Sequence, residues 1–210
     1  MSQLNMSNLS RLILGCGGHA RALISVLMES LEFSDIGLIE NQIGFDKKET
    51  ILGAQVVGDL SFLNNCSTSI ILGVGSINAR IDVLQKYKFL SWCNVISTKA
   101  VISPKVTIGD GVFIAPNTFL GPLSTISNHA IINTSSVIEH EVHVGENSHI
   151  APNSTLLGKC SIGQNVFVGA NTVVLPNISI GDNITIGANS LVNKSLFEPG
   201  TYIGTPARKI

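Results

Sequence analysis

From Val101 to Leu196 the apolar residues recur with a fixed period of six, through sixteen consecutive hexads without an insertion. The second place of every hexad is Ile, Leu or Val, from Ile102 to Val192. The sixth place is small or β-branched, as at Val106, Thr118, Ser136, Ser154 and Cys160, until Leu196 breaks the rule. Five of the seven prolines (Pro104, Pro116, Pro122, Pro152, Pro176) occupy the fourth place. Asn recurs in the fifth, at Asn117, Asn147, Asn153, Asn165, Asn171, Asn177, Asn183 and Asn189. An α-helix cannot use this spacing, because six matches neither about 3.6 nor 7 residues. A triangular coil can: each hexad supplies a short strand and a corner, and three hexads close one turn. The second place then points inward, and the sixth packs inside the corner where only a modest side chain fits. Pro and Asn make the turn, Asn tolerating the left-handed conformation. Stacked coils pair their backbones at about 4.8 Å. The pattern predicts a parallel β-helix.

Residues 10–95 have a different rhythm. Apolar runs predict strands at Arg11–Leu14, Ile36–Glu40 and 69–74. Helical spacing follows the first strand in ARALISVLMESL, and a second helix ends near Lys88. The segment 89–98 joins the halves, giving an α/β domain over 1–95 and a β-helix domain with its tail over 96–210. Gly15-Cys16-Gly17-Gly18-His19-Ala20 lies between the first strand and helix, and Gly75-Ser76-Ile77-Asn78 before the second helix. A strand, Gly-rich turn and helix place a phosphate at the helix N-terminus, in a small Rossmann-like three-layer unit. Read as a dinucleotide fingerprint, the turn has Glu40 near the distance for a ribose contact, which points to NAD. The unit is only about half a dinucleotide fold, so a nucleotide-linked substrate is the favoured reading.

Composition narrows the function classes. The chain is 44% hydrophobic, 5% aromatic and 13% charged, with a formal net charge of −1 and no block of like charge. Binding to nucleic acid has no electrostatic support. No apolar run reaches the roughly 18 residues of a membrane span, and the N-terminus lacks a signal-peptide pattern, so no membrane insertion and a cytoplasmic location are expected. Cys16, Cys66, Cys93 and Cys160 form no C-x-x-C pair and fit reduced thiols.

Five histidines are candidates for a general base. His140 stands between Glu139 and Glu141 at a corner place, where it should project from the core with a carboxylate beside it; a solvated polar corner is the alternative. His149 opens a later hexad. His129 and His143 are expected at the surface, and His19 ends the Gly-rich turn. His140 and His143 also form an H-x-x-H spacing, which leaves a metal-binding prism as a minor alternative.

The run Asn133-Thr134-Ser135-Ser136-Val137-Ile138-Glu139-His140-Glu141 resembles the N-T-x-x-x-[IV]-x-H-[ED] segment of bacterial sugar O/N-acyltransferases. That family includes bacillosamine-pathway and perosamine N-acetyltransferases and sialic-acid O-acetyltransferases, within the hexapeptide-repeat transferases. Gly15 to His19 and the ending Gly204-Thr205-Pro206-Ala207-Arg208 resemble its other two motifs. The resemblance implies a left-handed β-helix, a homotrimer and acetyl-CoA as co-substrate, with no metal. It implies His140 as general base backed by Glu141, and Asn133 near the acceptor sugar. His149, Ala170 and Ala188 match coenzyme positions. Gly17, Gly18 and His19 match the nucleotide-phosphate turn, and Gly75 and Arg80 the later turn and its Arg. Many relatives that bind UDP-sugars carry two acids after the second strand, where this chain has Glu40-Asn41. The expected activity is acetyl-CoA-dependent N-acetylation of a nucleotide-linked amino sugar. O-acetylation of sialic acid and a non-catalytic nucleotide-sugar-binding trimer are the alternatives.

Overall fold

The computed structural model describes residues 10–32, 35–40, 50–65 and 69–210. Asn41 and Cys66 lie outside the described residues. Contacts divide the chain into two units, Met1–Val95 and Ile96–Ile210.

In the first unit, β1 (Arg11–Leu14), β2 (Ile36–Glu40), β3 (Thr50–Ile51), β4 (Ala54–Asp59) and β5 (Ile70–Leu72) form one sheet ordered β3-β4-β2-β1-β5. Strands β1, β2, β4 and β5 run parallel, which demands crossovers and buries both faces. Two helices, α1 (Gly18–Leu27) and α2 (Ile77–Lys86), cover them. Leu12, Leu14, Ile39, Ile70 and Leu72 pack with Val83, Leu84 and Tyr87 at and beyond the end of α2. Strand alternation turns the buried Ile13, Leu38 and Ile71 to the opposite face. Helix α1 has its own buried stripe of Ala20, Leu23, Ile24 and Leu27. The sequence pattern did not predict β3 and β4. They form a hairpin whose two turn residues, Leu52 and Gly53, have φ of 51° and 86°. Left-handed backbone at both positions is the short-hairpin geometry, but Leu in place of Asn or Asp hides it.

In the second unit the hexads wind a parallel β-helix, each rung pairing with the rung 18 residues on, as Phe119 with Val137 and Val137 with Thr155. Three sheets of six, five and eight strands form its faces, called here the Val137, His143 and His149 faces. The second-place residues from Ile114 to Val192 are no more than 2% exposed. Buried sixth-place hydroxyls donate to nearby carbonyls: Thr118 Oγ1 to Ala115 O at 2.7 Å, and Ser148 Oγ to Gly163 O at 2.7 Å. That pairing is what allows a polar atom inside an otherwise aliphatic prism. The fifth place is left-handed from Lys105 to Asn189, with φ between 55° and 66°. Asn fits that conformation with little cost; Leu123, Glu141 and Lys159 hold it because the coil above and below fixes the corner.

The winding extends past the periodic segment at both ends. Val95–Ile96 already forms a rung, one hexad early, masked in sequence by corner residues that lack Pro and Asn. After Leu196, strand Gly200–Ile203 adds a final rung, and Arg208–Lys209 pairs antiparallel with it, covering most of that edge. His129 is 8% exposed, so it is not a surface residue. Fifth-place residues stack at the coil spacing, and a ring there lies among its column neighbours; Asn147, one coil below, is likewise buried. Among the described residues no helix is long and apolar enough to cross a membrane.

Candidate active site

The first unit presents a cleft of about 450 Å³ at the C-terminal ends of β1, β2 and β5. It gathers five of the predicted substrate residues: Gly17, Gly18, His19, Glu40 and Gly75. Gly17 caps α1 without any side-chain bond, so no capping side chain covers this helix N-terminus, the end that favours an anion. A β-carbon on Gly17 or Gly18 would meet nothing within 4 Å, so packing does not require glycine there. Gly15 differs: its φ is 113°, and a β-carbon would press on the Gly73 carbonyl at 3.1 Å. Arg80 does not line the cleft. It is 1% exposed, and its Nη1 donates to Val74 O at 2.9 Å, bracing the turn that carries Val74, Gly75 and Ser76 to the cleft wall. Burial lowers its guanidinium to about 10, still charged at neutral pH. Arg21 and Ser76 also line the cleft, and the motif reading missed both. Arg21 lies four residues past the cap, one helical turn along, and its Nη1 donates to Cys16 O at 3.1 Å.

In the second unit, His140 occupies the corner between the Val137 and His143 faces. The left-handed Glu141, with φ of 60°, turns its side chain back so that Oε2 lies 3.0 Å from His140 Nδ1. A carboxylate only accepts, so Nδ1 donates, and in the neutral ring the lone pair is then on Nε2. Both side chains are about half exposed, so an incoming group can reach the ring. Lys159 Nζ lies 3.9 Å from the same Glu141 oxygen. Such a pair is what general-base catalysis needs: one nitrogen held, the other free to accept a proton.

Asn133 and His149 meet at the next corner back, between the His149 and Val137 faces, with Asn133 Nδ2 3.1 Å from His149 Nε2. The His149 ring stands edge-on to Phe167, centroids 5.2 Å apart. Ala170 and Ala188 follow at the same corner in the two coils below, on rungs paired through Phe167 and Thr185. The predicted coenzyme residues thus share one edge with Asn133. Within one chain this edge and the His140 corner stand at opposite margins of the Val137 face and do not meet. His143 lies exposed on its own face, away from the corner of His140. Among the described residues no group of three His, Cys, Asp or Glu is placed to hold a metal ion. Cys160 is buried, its Sγ directed to Leu175 O at 3.0 Å, and burial raises its thiol above the ordinary range.

Residues 124–158 and 159–194 match the bacterial transferase hexapeptide family (six repeats), and residues 12–87 match the PglD N-terminal domain. The two units define a hexapeptide-repeat acyltransferase with a left-handed β-helix. A perosamine N-acetyltransferase from Caulobacter crescentus, solved with CoA and GDP-perosamine, is 30% identical, with 95% of each chain covered and a TM-score of 0.86. The chain belongs to the sugar acyltransferase family that this enzyme represents. The acetyltransferase domain of PglB from Neisseria gonorrhoeae, solved with acetyl-CoA in one structure, shares the fold at 22% identity and a TM-score of 0.84, covering 95% of this chain and 98% of its own. WeeI from Acinetobacter baumannii does so at 21% identity and a TM-score of 0.69, with the same coverage. No curated protein matches the chain significantly.

Proposed function

We propose that the chain transfers the acetyl group of acetyl-CoA to the amine of a nucleotide-linked 4-amino-4,6-dideoxyhexose, for bacterial surface-glycan synthesis. The observation that carries this is the His140–Glu141 pair, exposed at a β-helix corner with Nδ1 held at 3.0 Å and Nε2 uncommitted. The relative solved with GDP-perosamine, similar over 95% of both chains, supports the amino-sugar class. The cleft around Gly17, Gly18, His19 and Gly75 holds the nucleotide phosphates, with Glu40 on the base or ribose.

The amine attacks the thioester carbonyl as His140 Nε2 takes its proton. Glu141 stabilises the charge that develops on the imidazole. Collapse of the tetrahedral intermediate expels the CoA thiolate, which takes the proton back, leaving an amide and CoA–SH. No covalent enzyme intermediate is needed, and Cys160 is neither accessible nor ionised.

The working unit is a homotrimer. The outward places of the Val137 face run Val101, Phe119, Val137, Thr155, Val173 and Leu191, apolar but for one. Three such faces packed about a threefold axis bury that surface. They also bring the His140 corner of one copy to the Asn133–His149 edge of the next, completing a site that one chain holds in halves. Acetyl-CoA and sugar nucleotides place the reaction in the cytoplasm, where free thiols at Cys16, Cys93 and Cys160 belong.

The test is a thiol-release assay with acetyl-CoA against UDP-, GDP- and dTDP-linked 4-amino sugars, with sialic acid as control. Turnover on an amino sugar supports the proposal. Turnover on sialate alone moves the chain to O-acetylation, and silence throughout favours a binding protein.

A further inference from the structure

Gly158 stands one coil below His140, at the same fourth place, and is the only glycine in that place among the sixteen hexads. The other fourth places hold Pro, Asp, Asn, Thr, His, Glu, Gln, Ala or Lys. The backbone does not ask for glycine here, since the left-handed residue of this hexad is Lys159, with φ of 63°. The atoms nearest to a side chain here all belong to the His140 imidazole: a β-carbon would overlap Nε2 and lie 2.6 Å from Cε1 and 3.1 Å from Cδ2. The next residue makes two further contacts with the same pair. Lys159 N–H donates to His140 O at 3.0 Å, and its Nζ lies 3.9 Å from Glu141 Oε2.

We infer that Gly158 is a positioning residue for the acyl transfer: its bare Cα is the seat on which the His140 ring lies. This rests on the reading of His140 as general base. Glu141 fixes one nitrogen of the ring, which leaves rotation about that bond. The flat surface of Gly158 removes it, directing Nε2 over the coil below. A methyl group there tips the ring, and either the Nδ1–Glu141 bond breaks or Nε2 leaves the reacting position. Proton transfer tolerates such displacement poorly: about 1 Å of misplacement costs about 10²-fold.

The experiment compares wild type, Gly158→Ala, His140→Ala and the double variant, by turnover and by ¹⁵N signals of labelled histidine. Gly158→Ala lowers kcat about 10²-fold, while KM for acetyl-CoA and the sugar nucleotide stays within about 3-fold because no binding contact is removed. The double variant matches His140→Ala, because the three atoms nearest the methyl all leave with the ring. The His140 signal, identified by its loss in His140→Ala, changes from one Nδ1–H tautomer to a mixture. Unaltered kcat and tautomer in Gly158→Ala overturn the inference. So does an equal loss when the methyl is added to His140→Ala. If His140→Ala itself retains turnover, the base assignment falls, while the tautomer still decides whether Gly158 seats the ring. Should Gly158→Ala fail to fold while the double variant folds, the clash is with the ring, as inferred. Failure of both means the backbone needs the glycine, which contradicts it.

Discussion

Asn133 Nδ2 donates to His149 Nε2 across 3.1 Å, and the orientation of the amide fixes the state of the ring. Asn133 Oδ1 already accepts the Thr134 N–H at 2.8 Å, so the amino group must face the imidazole. His149 is therefore neutral, with Nε2 accepting and the proton on Nδ1. The two residues act as one unit. Asn133→Ala and His149→Ala each raise KM for acetyl-CoA by about 3–10-fold, the worth of one ordinary hydrogen bond. The double variant is no worse than His149→Ala; steady-state kinetics showing fully additive losses contradicts the pairing.

Glu141 and Lys159 both sit beside His140, the proposed base, but unequally. The Glu141–His140 bond is direct, at 3.0 Å, and a hydrogen bond to a charged group is worth about 1.5–3 kcal/mol. Glu141→Ala therefore lowers kcat by about 10–100-fold with little change in KM. Lys159 approaches Glu141 only to 3.9 Å, more than half exposed, where such pairs contribute under about 1 kcal/mol. Lys159→Ala leaves kcat within about 5-fold.

The glycines of the first unit separate structure from binding. Gly15→Ala forces a φ of 113° and a clash with Gly73, and lowers stability by about 1–3 kcal/mol. Gly18→Ala, at the first helical position with open space above it, leaves the melting temperature unchanged or higher. It nonetheless raises KM for the sugar nucleotide, because the added methyl enters the cleft proposed to hold the phosphates. Thermal melts and kinetics on the two variants give opposite patterns; identical patterns contradict the cleft assignment.

Cys160 gives a pH dependence with a definite sign. Burial holds the folded thiol protonated beyond the ordinary range, while the unfolded thiol ionises near about 8.5. Above that pH the unfolded chain binds fewer protons than the folded one, so this contribution to stability falls as pH rises. Cys160→Ser reduces the loss in denaturant titrations between about pH 8.5 and 10. Native Cys160 also resists iodoacetamide at pH 8 while Cys16 and Cys93, both partly exposed, react.

The β-helix was legible because each place of the hexad has one steric task, and the left-handed fifth place follows the Asn column from sequence into structure. The His140–Glu141 pair was legible because its members are adjacent. Asn133 and His149 were each singled out, but expected at different substrates. Their contact joins neighbouring coils, and only the winding shows that sixteen residues along the chain become 3.1 Å in space. His129 shows the reverse limit, since polarity suggested exposure and column stacking buries it. The β3–β4 hairpin stayed hidden because Leu52 takes a conformation that leaves no mark in the sequence. Gly158 could have been noticed as the odd member of its place, but its reason is the ring one coil above.

The most direct measurement is kcat for acetyl transfer from acetyl-CoA to the best nucleotide-linked amino sugar in His140→Ala. If His140 is the general base, as proposed, its loss lowers kcat by about 10²–10⁴-fold with both KM values nearly unchanged and the oligomeric state the same as in wild type. Turnover within a few-fold of wild type contradicts the account, and the base must then be sought elsewhere.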